Sequence, residues 1–189
     1  MSYELIGLLA GLGAIVGVLA GLLGIGGGLL VVPALLFLLP KAGIPQELAM
    51  QMALATSLST IIVTSGSSAI NHLKLGNVEI FVVKWLIPGV VIGGFLGSFA
   101  ADVIPAQYLP KIFGVIVLVL ALQMLLSIRS KSQKSMPGSA KTMLCGGGIG
   151  LVSSLAGIGG GSLSVPFLNH HGVEMRKAVG SSSVCGCVI

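Results

Sequence analysis

The stretch Gly24-Ile25-Gly26-Gly27-Gly28 lies in the middle of an uncharged run from Leu5 to Leu39. At a rise of 1.5 Å per residue, about 35 helical residues would extend roughly 52 Å, which is too long for one membrane span and short for two. Each glycine in a helix interior costs about 1 kcal/mol relative to alanine. The sequence therefore predicts two helical pieces separated by a break at the glycines.

The same pattern recurs later in the chain as Gly157-Ile158-Gly159-Gly160-Gly161, and each copy has a proline five residues after its last glycine, Pro33 and Pro166. Downstream, Ala53-Leu54-Ala55-Thr56-Ser57 corresponds to Ala178-Val179-Gly180-Ser181-Ser182. Paired segments interrupted by glycine and proline are the best sequence indication of the binding site in transporters built from two related halves. We therefore expect two homologous halves.

The composition indicates a membrane protein. Hydrophobic residues make up 54% of the chain and charged residues only 8%, against about 25% charged in soluble domains. The mean hydropathy is +1.08, which also excludes a disordered chain. The uncharged blocks predict helices over 48–70, 79–101 and 109–128 and another that starts near 142. The expected fold class is an all-α, polytopic transmembrane protein with re-entrant, glycine-broken segments.

A basic linker divides the chain into residues 1–128, the first transmembrane repeat, and residues 142–189, the start of a second. The linker, residues 129–141, holds four basic residues and no acidic one, which predicts a cytoplasmic location. Nothing after the second break corresponds to residues 79–128. We therefore expect the second repeat to be incomplete.

The positions of the remaining basic residues indicate whether each apolar segment with a glycine break folds back to the side it entered from or crosses the membrane once. If both blocks fold back as re-entrant hairpins, Arg176 and Lys177 lie on the same side of the membrane as the linker. If each segment crosses the membrane once, Arg176 and Lys177 lie on the side opposite the linker. The positive-inside rule favours the fold-back arrangement and inverted halves, and a single crossing stays open.

The breaks are candidate anion sites. Irregular backbone at membrane depth is tolerated only where it is buried in protein or lines a cavity. A glycine run before a short helix leaves amide N–H groups free at the positive end of the helix dipole, where an anion binds readily. The alternative is that the glycines only permit close packing. The predicted backbone donors are Gly26, Gly27, Gly28, Gly159, Gly160 and Gly161.

Hydroxyl groups are the second class of predicted substrate-binding groups. Thr56 and Ser57 follow the first break, and their counterparts in the second copy are Ser181 and Ser182. Hydroxyls can donate hydrogen bonds to an anion or join helices to each other. His72 is a candidate proton relay, with an ordinary interface histidine as the alternative.

Other small residues predict helix packing. Two sets of glycines recur at a spacing of four residues, which favours close contact between helices in lipid: Gly13, Gly17 and Gly21, and Gly89, Gly93 and Gly97. The three cysteines are also interpreted as packing residues, because an odd number inside apolar sequence fits neither a disulfide framework nor a zinc site. They are Cys145, Cys185 and Cys187.

Several function classes are excluded. The five acidic residues are scattered at predicted helix ends and form no catalytic pair, so an enzyme is not expected. No cofactor or metal site is predicted, since His170 and His171 lack carboxylate or cysteine companions. The net charge of +5 lies in the connections between apolar blocks, which indicates membrane topology and not nucleic-acid binding.

The doubled Gly-Ile-Gly-Gly-Gly with its following proline, the segment Ala55-Thr56-Ser57-Leu58, and the stretch from His72 to Val78 together resemble the TauE/SafE family. The helix that contains Pro88 and Gly89 is similar too, so the likeness covers essentially the whole chain. The resemblance implies a multi-pass transporter of the inner membrane that handles sulfur-containing anions such as sulfite, sulfoacetate or sulfonates. Members of the family are longer. Ser183 stands where the first copy has Leu58, which bears on substrate preference.

The predicted function is transport of a small anion by alternating access around the two breaks. The alternatives are a non-transporting assembly or docking subunit and an anion channel. The expected partners are the lipid bilayer and the small anionic substrate, and a homo-oligomer stays open.

Overall fold

The computed structural model describes residues 3–23, 27–127 and 136–189, and in these ranges the chain forms eight α-helices, one short 3-10 helix at Pro40–Ala42 and no strand. The all-α fold class is thus confirmed for this part of the chain. The helices are α1 (Tyr3–Leu23), α2 (Gly28–Leu38), α3 (Gln46–Lys74), α4 (Ile80–Val103), α5 (Leu109–Ser127), α6 (Ser139–Ala156), α7 (Gly161–His170) and α8 (Met175–Cys187).

Two of the described helices, α3 and α4, are long and apolar enough to cross a membrane. Large apolar side chains such as Val63 and Phe95 are exposed on the surfaces of these helices. An exposed apolar surface of this kind suits contact with lipid. The helices predicted over 48–70 and 79–101 are confirmed, with ends that differ by a few residues. The helix predicted over 109–128 is α5.

The charges at the ends of α3 match the helix dipole. Glu47 lies in the first turn and Lys74 in the last turn, so that each of these two charges lies at the helix end of opposite partial charge. The chain leaves α3 through Gly76, whose φ of +69° is a conformation that favours glycine. The apolar helix α4 follows after Glu79.

The tightest helix contact joins α4 and α6, which run parallel with their backbones touching. A Cβ added to Gly93 would overlap the carbonyl oxygen of Gly147, and one added to Gly89 would overlap that of Met143. The predicted contact face at this glycine spacing is therefore confirmed for α4. In α1, by contrast, a Cβ at Gly13 or Gly17 would have no described atom within 4 Å, so the same spacing marks no contact there among the described residues.

Helices α3 and α8 pack antiparallel through small and hydroxyl residues. The hydroxyls of Ser68 and Ser183 lie 2.9 Å apart. A Cβ at Gly180 would overlap the backbone at Asn77 and lie 3.1 Å from the Cβ of His72. The end of α3 and the loop after it are therefore fixed against α8.

The second break and the start of α2 lie in the largest apolar cluster of the described residues, which includes Val32, Leu54, Phe113 and Ile158. Helix α1 ends at Leu23 and α2 begins at Gly28, while residues 24–26 lie outside the described part of the chain. The second break is described throughout and separates α6 from α7 over residues 157–160. Residues 128–135 of the linker region are not described, and α6 begins at Ser139, three residues before the predicted start near 142.

Candidate functional site at the two glycine breaks

The two breaks contact each other through their backbones. Gly28 is the first residue of α2, and a Cβ added to it would overlap the carbonyl oxygen of Gly157 and lie 2.9 Å from the Cα of Ile158. Gly157 itself ends α6 with φ of +59°, a left-handed conformation that favours glycine. Glycine is therefore required on both sides of this contact.

Ser57 fixes the second break from α3. Its side chain is fully buried, and its Oγ donates a hydrogen bond of 2.7 Å to the carbonyl oxygen of Gly157. A Cβ at Gly157 would lie 2.8 Å from Leu54 Cδ2 and 3.1 Å from Val32 Cγ2, so the loop is enclosed by apolar side chains. The hydroxyl hydrogen of Ser57 is engaged, which makes Ser57 a residue that positions the break.

The start of α7 presents unpaired amide groups. Helical bonding begins with the amide of Ser162, which donates to Gly159 O at 3.4 Å, and that of Ser164, which donates to Gly160 O at 2.8 Å. Within the described part of the chain, the amides of Gly159, Gly160 and Gly161 have no backbone acceptor. Unpaired N–H groups at the N-terminus of a helix, together with its dipole, are the arrangement that binds anions.

Buried hydroxyls surround this break. Six of the buried serines lie in the segments that form or flank it: Ser57, Ser153, Ser154, Ser162, Ser164 and Ser182. In two of the fully buried ones, Ser153 and Ser164, the Oγ atom has no hydrogen-bond partner among the described residues. A buried polar group without a partner costs roughly 1–3 kcal/mol, which is a reason to look for a ligand at this position.

Ser153 and Ser164 were not among the predicted site residues. A comparison of the two copies could have identified them, because the positions that match them in the first copy hold the apolar residues Ala20 and Val31. The second break is therefore flanked by hydroxyls where the first copy has apolar residues. Ser164 Oγ lies 3.6 Å from the position of a Cβ at Gly160, which places it close to the unpaired amides.

The structure brings several of the predicted donors to the breaks. Gly27 caps α2, and its carbonyl oxygen accepts hydrogen bonds from the amides of Leu30 and Val31. A Cβ at Gly161 would lie 3.8 Å from Ser182 Oγ, so Ser182 lies beside the second break, and its hydroxyl donates to Val179 O. The prediction for Gly26 falls outside the described residues.

Three predicted residues have no contact with the breaks among the described residues. Ser181 accepts a hydrogen bond of 2.9 Å from the amide of Glu79, which ties α8 to the start of α4. Thr56 is exposed on α3. His72 lies on the same helix as Ser57, about 22 Å away along the axis at 1.5 Å per residue. Its Nδ1 is buried without a described partner.

One ion pair reinforces the contact at that end of α8. Lys177 Nζ lies 2.9 Å from Glu79 Oε2, with both side chains partly exposed. The hydrogen bond and the negative charge of Glu79 raise the pKa of Lys177 above its ordinary value. The ion pair and the hydrogen bond from the Glu79 amide to Ser181 together stabilise the contact between the start of α4 and α8.

The family model described as "Sulfite exporter TauE/SafE" matches residues 9–189. The chain belongs to the TauE/SafE family. The resemblance seen in the glycine motifs is thereby confirmed, and the protein is assigned to the membrane.

Curated relatives in this family carry the name "probable membrane transporter protein". One from Haemophilus influenzae is 41% identical over 178 residues, which cover 94% of this chain and 67% of the relative. One from Methanocaldococcus jannaschii is 34% identical over 94% of this chain and 67% of its own length. One from Bacillus subtilis is 28% identical over 82% of this chain and 64% of its own length. The chain thus spans about two thirds of these TauE/SafE relatives, and no solved structure matches it.

Proposed function

We propose that this TauE/SafE chain forms the binding site of a carrier that moves a small sulfur-containing oxyanion across the inner membrane by alternating access. Sulfite, sulfoacetate and sulfonates are the substrate class. In this proposal the two glycine breaks are the tips of re-entrant segments from two related halves, and the basic linker 129–141 is cytoplasmic.

The observation that carries the proposal is the contact between Gly28 and Gly157. This contact brings the N-terminus of α2 against the loop that leads into α7. Each of these helix starts has a positive dipole end, so a single anion beside the contact would be attracted by both. The oxygens of a sulfur oxyanion accept hydrogen bonds from several directions, which suits a site built from amides and hydroxyls.

The residues have distinct proposed roles. The oxyanion is bound by the amides of Gly160 and Gly161 and by the hydroxyls of Ser153 and Ser164, which have no partner among the described residues. Ser57 positions the break through Gly157. Of the other predicted contacts, Ser182 lies beside Gly161, Thr56 remains a proposed contact on the path to the breaks, and Ser181 holds α8 against the start of α4.

Transport of sulfite into proteoliposomes tests this function. Ser164→Ala removes a hydroxyl that has no partner in the described part of the fold, so the thermal unfolding midpoint should stay the same or rise. Because a hydrogen bond to a charged group contributes about 1.5–3 kcal/mol, the apparent affinity for sulfite should fall roughly tenfold to a hundredfold.

The matched control is Ser59→Ala, since Ser59 is exposed and its hydroxyl bonds only to Ala55 O in its own helix. This variant should keep the transport affinity of the wild type. Saturable flux whose apparent affinity for sulfite falls only in Ser164→Ala supports the carrier. An absence of flux and of any sulfite-dependent thermal shift would favour the docking subunit. Conductance without saturation would favour the channel.

A further inference from the structure

Helix α4 packs closely on α6 and also contacts α8. A Cβ added to Gly146 would lie 2.6 Å from the carbonyl oxygen of Leu86, and one added to Gly150 would overlap the carbonyl oxygen of Val90. The backbones of the two helices therefore touch at these glycines, which lie four residues apart on one face of α6. Small residues at this spacing allow two helices in lipid to approach so closely.

Helix α1 carries the same two glycines. When the two copies are aligned on their glycine breaks, Gly13 matches Gly146 and Gly17 matches Gly150. Both α1 glycines are exposed, and a Cβ at either position would have no described atom within 4 Å. The glycine face of α1, defined by Gly13 and Gly17, is therefore uncovered in the described part of the chain, whereas α4 covers the matching face of α6.

Two alanines on the glycine face of α1 are also compatible with a close helix contact. Ala14 matches Gly147, where an added Cβ would lie 3.8 Å from the carbonyl oxygen of Gly89, an ordinary contact. Ala10 matches Met143 and is smaller. Both alanines are exposed. A helix can therefore approach α1 as closely as α4 approaches α6.

Helix α3 shows a second difference of this kind, which does not depend on glycine spacing. In the alignment of the two copies, Thr60 of α3 matches Cys185 of α8. Cys185 is fully buried in an apolar cluster with Leu86 and Val90 of α4, whereas Thr60 is exposed. Helix α4 alone contacts both α6 and α8. One further helix that contacts α1 and α3 would therefore cover both exposed positions.

The longer relatives of this chain have room for such a helix. Nothing in residues 142–189 corresponds to α4, and this chain matches only 67% of the Haemophilus influenzae relative that is 41% identical to it. The unmatched third of that relative is long enough to hold a helix of 24 residues, the length of α4. Because the glycine face of α1 holds only glycine and alanine, it suits an apolar helix that also has small residues at the contact.

We infer that the glycine face of α1 binds a transmembrane helix with small residues at every fourth position, the counterpart of α4 from the second half of a longer TauE/SafE protein. This helix lies parallel to α1, as α4 lies parallel to α6, and it also covers Thr60. The inference goes beyond the proposed function, because helix binding is measured with no anion present and can succeed or fail independently of transport.

A fluorescent peptide with the α4 sequence, residues 80–103, is the probe. Energy transfer to it from the full 189-residue chain, labelled at its amino terminus, is measured in detergent micelles. Transfer should saturate as peptide is added, and Gly17→Leu should weaken the apparent affinity roughly tenfold or more, since the larger side chain holds the helices apart. Gly11→Leu is the matched control and should bind like the wild type, because Gly11 matches Leu144, which is 81% exposed.

A second variant leaves the 189-residue chain unchanged. A peptide with Gly93→Leu should lose affinity by a similar factor, so the test does not depend on the folding of Gly17→Leu. Equal binding by Gly17→Leu and Gly11→Leu, or no saturable transfer to the wild-type peptide, would overturn the inference. Energy transfer between two differently labelled copies of the chain that is lost in Gly17→Leu would place a second copy on this face and would also overturn it.

Discussion

Ser57 donates its hydroxyl hydrogen to the carbonyl oxygen of Gly157 over 2.7 Å, which joins two buried residues 100 positions apart in the chain. This bond connects α3, one of the two candidate spans, with the left-handed turn that ends α6. The second break, which follows the basic linker, is thus fixed by a helix that precedes the linker, and the geometry of the proposed anion site depends on segments from both sides of it.

Ser57→Ala should destabilise the fold, because the buried carbonyl of Gly157 would lose its hydroxyl donor. The expected loss is roughly 1–3 kcal/mol in the free energy of unfolding. Chemical unfolding in mixed micelles, followed by circular dichroism, measures this loss. Ser59→Ala on the same helix is the control, and a change at an exposed position of this kind should stay within about 0.5 kcal/mol. Equal effects of the two substitutions would contradict the assigned role.

Gly28→Ala should be far more harmful than Gly27→Ala. The added methyl at Gly28 would overlap the backbone of Gly157, which cannot move aside as a flexible side chain would. Overpacking of this kind costs about 1–3 kcal/mol. At Gly27 the nearest described atom would be Val31 Cγ2 at 3.9 Å, an ordinary contact. The unfolding midpoints of the two variants check the contact between the breaks, and a tolerated Gly28→Ala would argue against it.

Gly93→Ala should separate α4 from α6, since its methyl would overlap the carbonyl oxygen of Gly147. A methyl added at Gly114 in α5 would have no described atom within 4 Å, so Gly114→Ala should be neutral or stabilising by about 1 kcal/mol through helix propensity. A pair of cysteines across the α4–α6 contact, tested for disulfide formation, would report the separation. Intact crosslinking in Gly93→Ala would count against the close approach.

The ion pair between Lys177 and Glu79 predicts a specific dependence on pH. The pKa of Lys177 is raised in the folded state, chiefly by its hydrogen bond to Glu79. The stabilisation linked to this shift is therefore fully present below the unfolded pKa of about 10.4 and is lost as the pH rises through the higher folded value.

Thermal unfolding at a series of pH values checks this dependence. The midpoint difference between the wild type and Lys177→Met should stay constant through neutral and mildly alkaline pH and should shrink only above about pH 10.4. Lys84→Met is the control, since Lys84 is exposed and takes no part in the described salt bridge. A difference that is already gone at neutral pH would show that the ion pair does not stabilise the fold.

The breaks and the α4 contact face were predictable because they depend on local properties of the chain. A run of glycines disfavours a helix wherever it occurs, and the break between Ala156 and Gly161 follows from this. Glycines four residues apart must share a helix face, which is how Gly93 could be expected to lie in a helix contact.

The partners of these residues were not predictable, because sequence spacing defines a face without defining what covers it. Gly13 and Gly17 have the same spacing as the α4 glycines and no described neighbour. In the same way, the hydroxyl pattern placed Ser57 and Ser181 in equivalent roles, but long-range packing directs Ser57 to Gly157 and Ser181 to the start of α4. The role of Ser164 could not be predicted for a related reason. The sequence does not show whether a serine in an apolar helix has a hydrogen-bond partner, because this depends on the residues packed around it.

The anion site is tested most sharply by an experimental structure of the protein with bound selenite, the heavier analogue of sulfite, whose selenium atom can be located by its anomalous scattering. We predict selenite beside the contact of Gly28 and Gly157, within hydrogen-bond distance of the amides of Gly160 and Gly161 and of Ser164 Oγ. Selenite bound elsewhere with this position empty, or breaks that lie apart from each other, would contradict the proposed site.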